Sequence, residues 1–260
     1  MAQDFTYHQY EQLLKSLHDA GYSFKTYREC TDEFPTRTIL LRHDVDARPD
    51  HSLHFARLQH ELGVIGTYYF RVVAESWDEG IIREIASLGH EIGYHYEDMD
   101  FTNGDPHQAI KLFEQHLEKL RNIADVQTIC MHGSPLSKYD NKEVWNHYSY
   151  RDYGILAEPY FDLDFSKFFY ITDTGRRWDG GRYSIRDRAT YRTSNEPEWP
   201  SYHTTQQIIE AVENGSFPDK VMMNFHPQRW TNNPVLWTRE LVAQNVKNVA
   251  KALLKTVRRG

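Results

Sequence analysis

Titratable side chains follow the apolar part of five separate segments of this sequence. They are Asp44 and Asp46 after "TILLRH", His95 after "EIGY", His132 after "TICM", Asp173 after "FFYIT" and His226 after "VMMNF". Carboxylates and imidazoles hold divalent metal ions, and they also exchange protons near neutral pH. Their repeated position behind a strand-like run predicts that they meet at one place, where they would bind a metal ion or transfer protons.

The strand-like runs alternate with segments that have the period of amphipathic helices. Strands are predicted at residues 37–44, 66–73, 90–95, 126–132, 167–173 and 220–226. Helices are predicted at residues 6–18, 49–63, 76–88, 105–123, 205–213 and 236–257. Ser76 and Asp105 are the expected N-caps of two of these helices, because their side chains can accept a hydrogen bond from a first-turn N–H.

Strands separated by helices pair in parallel, so the pattern predicts an α/β fold, either a barrel or a doubly wound sheet. In both architectures ligands bind beyond the carboxyl ends of the strands, where the titratable residues lie. Residues 133–203 are less regular and rich in aromatic side chains. We expect this segment to form loops over one face or a small antiparallel insertion.

The alternation of side chains along a strand gives a second argument for convergence. Arg42, Asp44 and Asp46 are two residues apart, so they face the same side, and Gly93 leaves room beside His95 for a bulky group. A lone histidine is more often structural than functional. The residues for which position favours this structural interpretation are His43, His51, His54 and His90.

The composition excludes several classes of protein. The 260 residues are 40% hydrophobic, which is enough for a sizeable core, and a net charge of −7 gives no electrostatic basis for binding nucleic acid. No apolar run reaches the length of a membrane span, and "MAQDFTYHQY" lacks a leader pattern, so we expect a cytoplasmic protein. Two cysteines, Cys30 and Cys130, are too few for a disulfide framework or a thiolate zinc site.

These motifs give the sequence a resemblance to the polysaccharide deacetylase superfamily of metal-dependent carbohydrate esterases. The similar motifs are "RHDVD", "GTYYF", "GHEIGYH", "HGSP" and "NFHPQRW", which together cover most of residues 38–230. The resemblance implies a distorted (β/α)7 barrel. We expect a single catalytic domain over residues 1–260, in which residues 1–37 form an N-terminal helical extension.

The resemblance implies a role for each residue at a matching position. Asp44 corresponds to the general base that accepts a proton from the attacking water, and Asp46 to a metal ligand. His95 corresponds to the first histidine of a His-x-x-x-His pair of ligands, and His226 to the general acid. The implied cofactor is a divalent metal ion, with zinc as the first choice and cobalt, nickel or manganese as alternatives.

Two positions depart from the motifs of the family. Met99 stands where the second ligand histidine is expected, and a thioether is a poor ligand for such an ion. The "HGSP" segment stands where the family has Arg-x-Pro, and we expect its His132 to supply the missing imidazole. Glu97 and Asp98 remain alternatives for the third metal ligand.

Three functions are compatible with these residues. The first is a hydrolase that removes an N-acetyl group from a sugar or a sugar-containing precursor in the cytoplasm. The second is a hydrolase of the same fold that acts on a non-sugar C–N bond. The third, motivated by Met99, is a binding or scaffold protein that has lost its metal ion.

The expected partner is a small molecule or oligosaccharide with an N-acetyl group. Asp173 or Arg176 is expected to orient the base or the acid, with an ordinary loop salt bridge as the alternative. Aromatic residues near the expected opening could stack on sugar rings, although packing in the core is the competing explanation for each. They are Tyr94, Tyr96, Tyr160, Phe161, Trp178 and Trp230.

Overall fold

The computed structural model describes residues 3–29, 34–134, 137–179 and 199–257, with side chains up to residue 248. Cys30 and Pro135, the last residue of the "HGSP" motif, lie outside the described residues. Within the described ranges, no helix combines the length and apolarity that a membrane span requires.

Seven parallel strands form one sheet, which is the centre of the fold. In chain order they are β1 (Ser23–Lys25), β2 (Thr38–Val45), β3 (Thr67–Phe70), β4 (Glu91–Tyr96), β5 (Val126–Met131), β6 (Phe169–Thr172) and β7 (Lys220–Phe225). Their order across the sheet is β5-β4-β3-β2-β7-β6, and β1 pairs with the first half of β2. This parallel α/β architecture confirms the predicted fold class, a distorted (β/α)7 barrel.

The distortion lies between β5 and β6, which form no ladder with each other in the described part of the chain. The segment after β5 runs beside it instead, where Ala157 forms an isolated parallel bridge with Thr128. Glu158 then accepts hydrogen bonds from the Met131 N–H at 3.2 Å and the Tyr160 N–H at 2.6 Å. A loop segment therefore fills the place that another strand would take in a regular barrel.

Eight helices connect the strands or flank the sheet in the described ranges. They are α1 (Tyr7–Asp19), α2 (Pro49–Glu61), α3 (Glu79–Ser87), α4 (Asp98–Phe101), α5 (Pro106–Arg121), α6 (Pro159–Asp162), α7 (Thr205–Glu213) and α8 (Pro234–Val257). Asp105 caps α5 by accepting from the N–H groups of His107 and Gln108, as predicted. The N-cap prediction for Ser76 is wrong, because Asp78 caps α3 and the Ser76 hydroxyl donates to the Val45 carbonyl at the end of β2.

The segment before residue 38 is not wholly helical, in contrast to the helical extension predicted there. Ser23, Phe24 and Lys25 form β1, which pairs in register with Thr38 to Leu40 of β2. A strand of three half-buried residues is too short to show a period of two in the sequence. Helix α1 packs against α7, so this segment forms part of the sheet and its helical cover.

Every residue of β2 is buried, including its three charged or titratable side chains. His43 faces the helices, where its Nε2 lies 3.1 Å from the Tyr10 hydroxyl and 2.9 Å from Nε2 of Gln59, and its Nδ1 lies 3.1 Å from the Thr67 carbonyl. These contacts agree with the structural role predicted for His43. Arg42 and Asp44 face the opposite side, which is the interior of the barrel.

Candidate metal centre

The predicted residues meet at the carboxyl edge of the sheet. Asp44 lies at the end of β2 and Asp46 directly after it, while His95 lies near the end of β4. His132 directly follows β5, and His226 directly follows β7. Because parallel strands place all their carboxyl ends at one edge, these five side chains converge although they span most of the chain.

Asp46, His95 and His132 form a cluster whose ligand atoms all lie within 4.8 Å of one another. Asp46 Oδ1 lies 3.6 Å from Nε2 of His95 and 3.6 Å from Nε2 of His132. This oxygen is buried and has no hydrogen-bond partner among the described residues. A buried carboxylate oxygen without a donor is costly, and a cation shared with two imidazoles would satisfy it. The donor set therefore fits a divalent ion that keeps an open coordination position.

Neighbouring oxygen atoms determine which nitrogen of each ring faces the cluster. His95 Nδ1 lies 2.8 Å from the carbonyl oxygen of Cys130, and a carbonyl only accepts, so Nδ1 is the donor there and Nε2 is the nitrogen that faces the cluster. His132 Nδ1 lies 3.0 Å from Oε2 of Glu97, without the alignment of a hydrogen bond. Arg71 holds Glu97 through two N–H donors at 2.7 and 2.8 Å. Carboxylates behind imidazoles are common at metal sites, where they orient the ring.

The charges around His132 are strongly coupled. Burial alone would raise the pKa of the Glu97 carboxyl, but His132 and Arg71 lower it to about 2. Burial also works against the charged form of His132, whereas Glu97 and Asp46 raise its pKa above the ordinary value. A cation at the cluster would therefore compete with a proton on His132.

The structure brings His132 to the cluster and leaves Met99 and Asp98 out of it. Met99 is 4% exposed and packs in the core at the start of α4. The Asp98 carboxylate accepts from the Tyr94 hydroxyl and lies 2.8 Å from Nδ1 of His116. Its side chain is therefore occupied elsewhere, while Glu97, the remaining alternative, contacts His132.

Asn141 connects the position of Met99 with the loop that carries His132. Its Oδ1 accepts from the Met99 N–H at 3.0 Å, and its Nδ2 donates to the His132 carbonyl at 2.9 Å. The side chain of Asn141 is fully buried, so these bonds are shielded from water. This amide fixes the backbone of His132 relative to α4.

Asp44 lies beside the cluster in a buried ion pair. Arg42 donates to Oδ1 from Nε and to Oδ2 from Nη2, both at 2.7 Å, and Asn224 donates to Oδ2 at 3.1 Å. Asp44 Oδ2 also lies 3.8 Å from Nε2 of His95. Burial would raise the pKa of Asp44, but the charge of Arg42 and the nearby His95 and His226 hold it below its ordinary value. Asp44 is therefore an ionised carboxylate at neutral pH.

His226 lies near both carboxylates. Its Nε2 lies 3.9 Å from Asp44 Oδ2 and 4.0 Å from Asp46 Oδ2, while its Nδ1 lies 2.6 Å from Oδ1 of Asp173. Asp173 also accepts from the indole N–H of Trp230 at 2.7 Å and from Arg229 at 2.9 Å. Asp173 is therefore the residue that orients His226.

Arg176, the other residue considered for that role, lies away from Asp44 and His226. Its guanidinium carbon lies 5.0 Å from the ring centre of Phe5 and 4.8 Å from that of Trp237. Its Nη1 donates to the carbonyl of Arg229 at 3.3 Å. Arg176 contacts neither Asp44 nor His226 among the interactions of the described residues.

Most of the aromatic residues predicted near the opening pack in the core. Tyr94, Tyr96, Trp178 and Trp230 are buried, and Tyr160 is also buried, with its hydroxyl accepting from Arg42 at 3.0 Å. Phe161 is the exception, because it is 47% exposed. Its ring stacks on that of Tyr150, with the ring centres 6.1 Å apart.

Gly93 leaves room for an aromatic ring beside the cluster, as predicted. A Cβ atom at this position would overlap the Tyr69 ring, so only glycine fits there. The Tyr69 ring centre lies 6.4 Å from that of His95. The ring forms part of the wall behind this imidazole.

Residues that contact the site but were missed as participants in the sequence analysis include Arg71, Asn224 and Gln228, in addition to Asn141. Arg71 directly follows β3, and its position behind a strand was a usable signal. Asn224 shares a face of β7 with His226, which strand alternation could also have shown. Gln228, whose Nε2 donates to Asp46 Oδ2 at 3.0 Å, lies in a turn that gave no signal.

Comparison with known proteins gives matches among solved structures alone. No family model matches the sequence, and no curated protein matches it. A CE4 family pseudoenzyme from Bacillus anthracis matches with 12% identity and a TM-score of 0.42, over 83% of this chain and 62% of that one. This chain thus spans less than two thirds of the pseudoenzyme.

Two further matches are carbohydrate esterases. A family 4 carbohydrate esterase from Bacillus anthracis matches with 10% identity and a TM-score of 0.40, over 91% of this chain and 85% of that one. PdaA of Bacillus subtilis, a family 4 carbohydrate esterase, matches with 12% identity and a TM-score of 0.40, over 94% of this chain and 89% of that one. Their names agree with the resemblance seen in the motifs. Similarity this distant assigns no function, which has to be argued from the residues of the site.

Proposed function

We propose that this chain is a metal-dependent hydrolase that removes an N-acetyl group from a sugar or a sugar-containing precursor. One observation carries the proposal. Asp46 has a buried oxygen without a hydrogen-bond partner near two imidazoles, and a second carboxylate, Asp44, and a third imidazole, His226, lie beside this cluster. Ligands, a base and an acid are the parts that amide hydrolysis needs.

Asp46, His95 and His132 would hold the divalent ion. One carboxylate oxygen and two imidazole nitrogens suit zinc, with cobalt, nickel or manganese as alternatives. A divalent ion held there supplies Lewis acidity, which stabilises negative charge on oxygen and makes water a nucleophile near neutral pH. Glu97 and the Cys130 carbonyl contribute by orienting the two rings.

Asp44 accepts the proton that the attacking water loses. Its carboxylate is ionised because the positive charge of Arg42 stabilises the negative charge inside the barrel. The two N–H contacts of Arg42 also hold the carboxylate in one orientation. Holding a base in place avoids the entropic cost of positioning it during the reaction.

His226 donates the proton that the leaving nitrogen needs when the C–N bond breaks. Asp173 accepts at Nδ1, so Nε2 is the nitrogen that faces the two carboxylates. The products are then an amine and acetate. An acid of this kind contributes roughly a hundredfold or more to the rate.

The sugar is the part of the proposal that the motif resemblance supports. The test is amine release from N-acetylglucosamine oligomers, monomers and nucleotide sugars, by protein purified without chelator and analysed for metal. Asp46→Asn is the matched inactive control. If the protein holds metal but releases no amine from any of these sugars, a hydrolase of a non-sugar C–N bond is favoured. If the purified protein holds no metal, a binding protein is favoured.

A further inference from the structure

Gln228 places a side-chain amide directly against the metal-ligand carboxylate Asp46. It lies in the 3-10 turn Pro227–Arg229, immediately after His226, and its Nε2 donates to Asp46 Oδ2 at 3.0 Å. Asp46 thus has one oxygen bound by Gln228 and the other, Oδ1, facing the two imidazoles. The amide therefore helps to decide which oxygen is offered to the ion.

The carboxylate also determines the orientation of the amide. An ionised carboxylate can only accept hydrogen bonds, so Gln228 must turn its NH2 group towards Asp46. Its carbonyl oxygen Oε1 then points the other way. Oε1 is buried and has no hydrogen-bond partner among the residues that the structure describes. Rotating the amide by half a turn would not help, because it would set two oxygens against each other.

A buried acceptor without a donor is costly, and a donor on a bound ligand would remove that cost. The side chain of Gln228 as a whole is half-buried, so part of it is accessible from outside. His226 Nε2 lies 4.0 Å from the same Asp46 Oδ2, and in the proposed function it protonates the leaving nitrogen of the substrate. Gln228 Oε1 is thus a hydrogen-bond acceptor in the region of the leaving group.

We infer that Gln228 Oε1 accepts a hydrogen bond from the N–H of the scissile amide, so that the site selects secondary amides over esters. This rests on the proposed function. During hydrolysis water adds its oxygen to the acyl carbon, the C–N bond breaks and nitrogen receives a proton from His226. The original N–H stays on nitrogen throughout, so Gln228 can hold it from binding to release. An ester has a lone-pair-bearing oxygen at this position, which the Gln228 carbonyl repels.

The test compares kcat/KM for matched N-acetyl and O-acetyl sugar oligomers, with metal content measured on the same samples. Gln228→Met removes both donor and acceptor, whereas Gln228→Lys keeps a donor for Asp46 and removes the acceptor. In both variants the amide-to-ester ratio is expected to fall roughly tenfold, the scale of one hydrogen bond. Gln127→Met, on β5 and in contact with Asp125, is the control and should keep the wild-type ratio.

The ratio separates recognition from metal loss, because loss of the ion slows both substrates alike. An unchanged ratio in Gln228→Met and Gln228→Lys would overturn the inference and leave Gln228 as a positioning residue for Asp46. Wild-type protein that hydrolyses neither substrate would instead refute the proposed function. An O-acetyl preference in the wild type would also overturn the inference, while leaving a metal-dependent hydrolase.

Discussion

Arg42 and Asp44 lie two residues apart on β2 and form a buried ion pair in which both N–O distances are 2.7 Å. The guanidinium meets the carboxylate with two parallel hydrogen bonds, the geometry that gives the strongest pairing between these side chains. The proposed base is thus ionised and locked in position before any ligand arrives. Removing either partner would leave an uncompensated charge in the barrel.

Asp44→Asn is expected to keep the metal content close to that of the wild type, while activity falls by about 10² or more, the scale of losing a general base. Asp46→Asn should remove metal and activity together, because Asp46 supplies the one carboxylate of the cluster. Elemental analysis and amine release on the same samples measure both. Equal loss of metal in the two variants would show that Asp44 is a ligand.

His132→Ala is expected to reduce metal affinity about as strongly as His95→Ala, since each leaves two protein ligands on the ion. Met99→Ala is the matched control. It should keep the metal and lose stability by roughly 2–5 kcal/mol, as expected for a truncated core methionine. Metal titration of all three variants measures these affinities. Wild-type affinity in His132→Ala, together with lost affinity in Glu97→Ala, would make the third ligand a carboxylate.

Metal affinity should weaken as the pH falls, because a proton and the cation compete for His132. Glu97 and Asp46 raise the pKa of His132, so the competition begins at a higher pH than for an ordinary histidine. In Glu97→Gln this pKa falls, so the loss of affinity should move to lower pH. Metal titrations across the pH range from 5 to 8, the ordinary range of histidine, compare the two proteins. Identical curves of metal affinity against pH for the wild type and Glu97→Gln would contradict the effect of Glu97 on the pKa of His132.

His226→Ala is expected to keep the metal but slow turnover, because it removes the proton donor outside the metal cluster. The alkaline limb of the pH profile should change, since that limb reports the protonated acid. Asp173→Asn should slow turnover as well, because it weakens the contact that orients the ring. A wild-type profile in His226→Ala would make this histidine structural.

Glu158 should make folding stability depend on pH independently of any metal ion. Burial raises its pKa from 4.5 to about 7 in the folded protein, despite two backbone N–H donors. A raised folded pKa means that its contribution is greatest below pH 4.5 and is lost as the pH rises through about 7. The difference between the two ends of this window is roughly 3 kcal/mol.

Glu158→Gln should flatten this dependence in denaturant titrations at a series of pH values. Exposed Glu143→Gln is the control, and it should retain the wild-type curve. A Glu158→Gln curve that stays parallel to the wild type would show that the carboxyl is charged in the folded protein throughout this range.

Sequence alone was sufficient to place Asp44, Asp46, His95, His132 and His226 at one edge of a parallel sheet. The reason is that hydrophobic periodicity is a local property, which marks where each strand and helix begins and ends. A parallel arrangement then carries every strand end to the same edge. Strand alternation likewise put Arg42 and Asp44 on one face before any contact between them was known.

The third residue of the cluster depended on tertiary structure. Glu97, Asp98 and His132 are all near strand ends, and a local pattern does not tell which way a side chain turns after the strand stops. Arg71, 26 residues before Glu97, holds that carboxylate behind His132, and His116 draws Asp98 away.

The roles of Gln228 and β1 were likewise decided by packing between distant segments. Gln228 reaches Asp46 from 182 residues further along the chain, and β1 is a strand because it pairs with β2. Contacts of this kind depend on how the loops fold over the barrel, and no periodicity in the sequence records that path. The sequence therefore determined where the chemistry lies, and the tertiary structure decided which side chains face one another there.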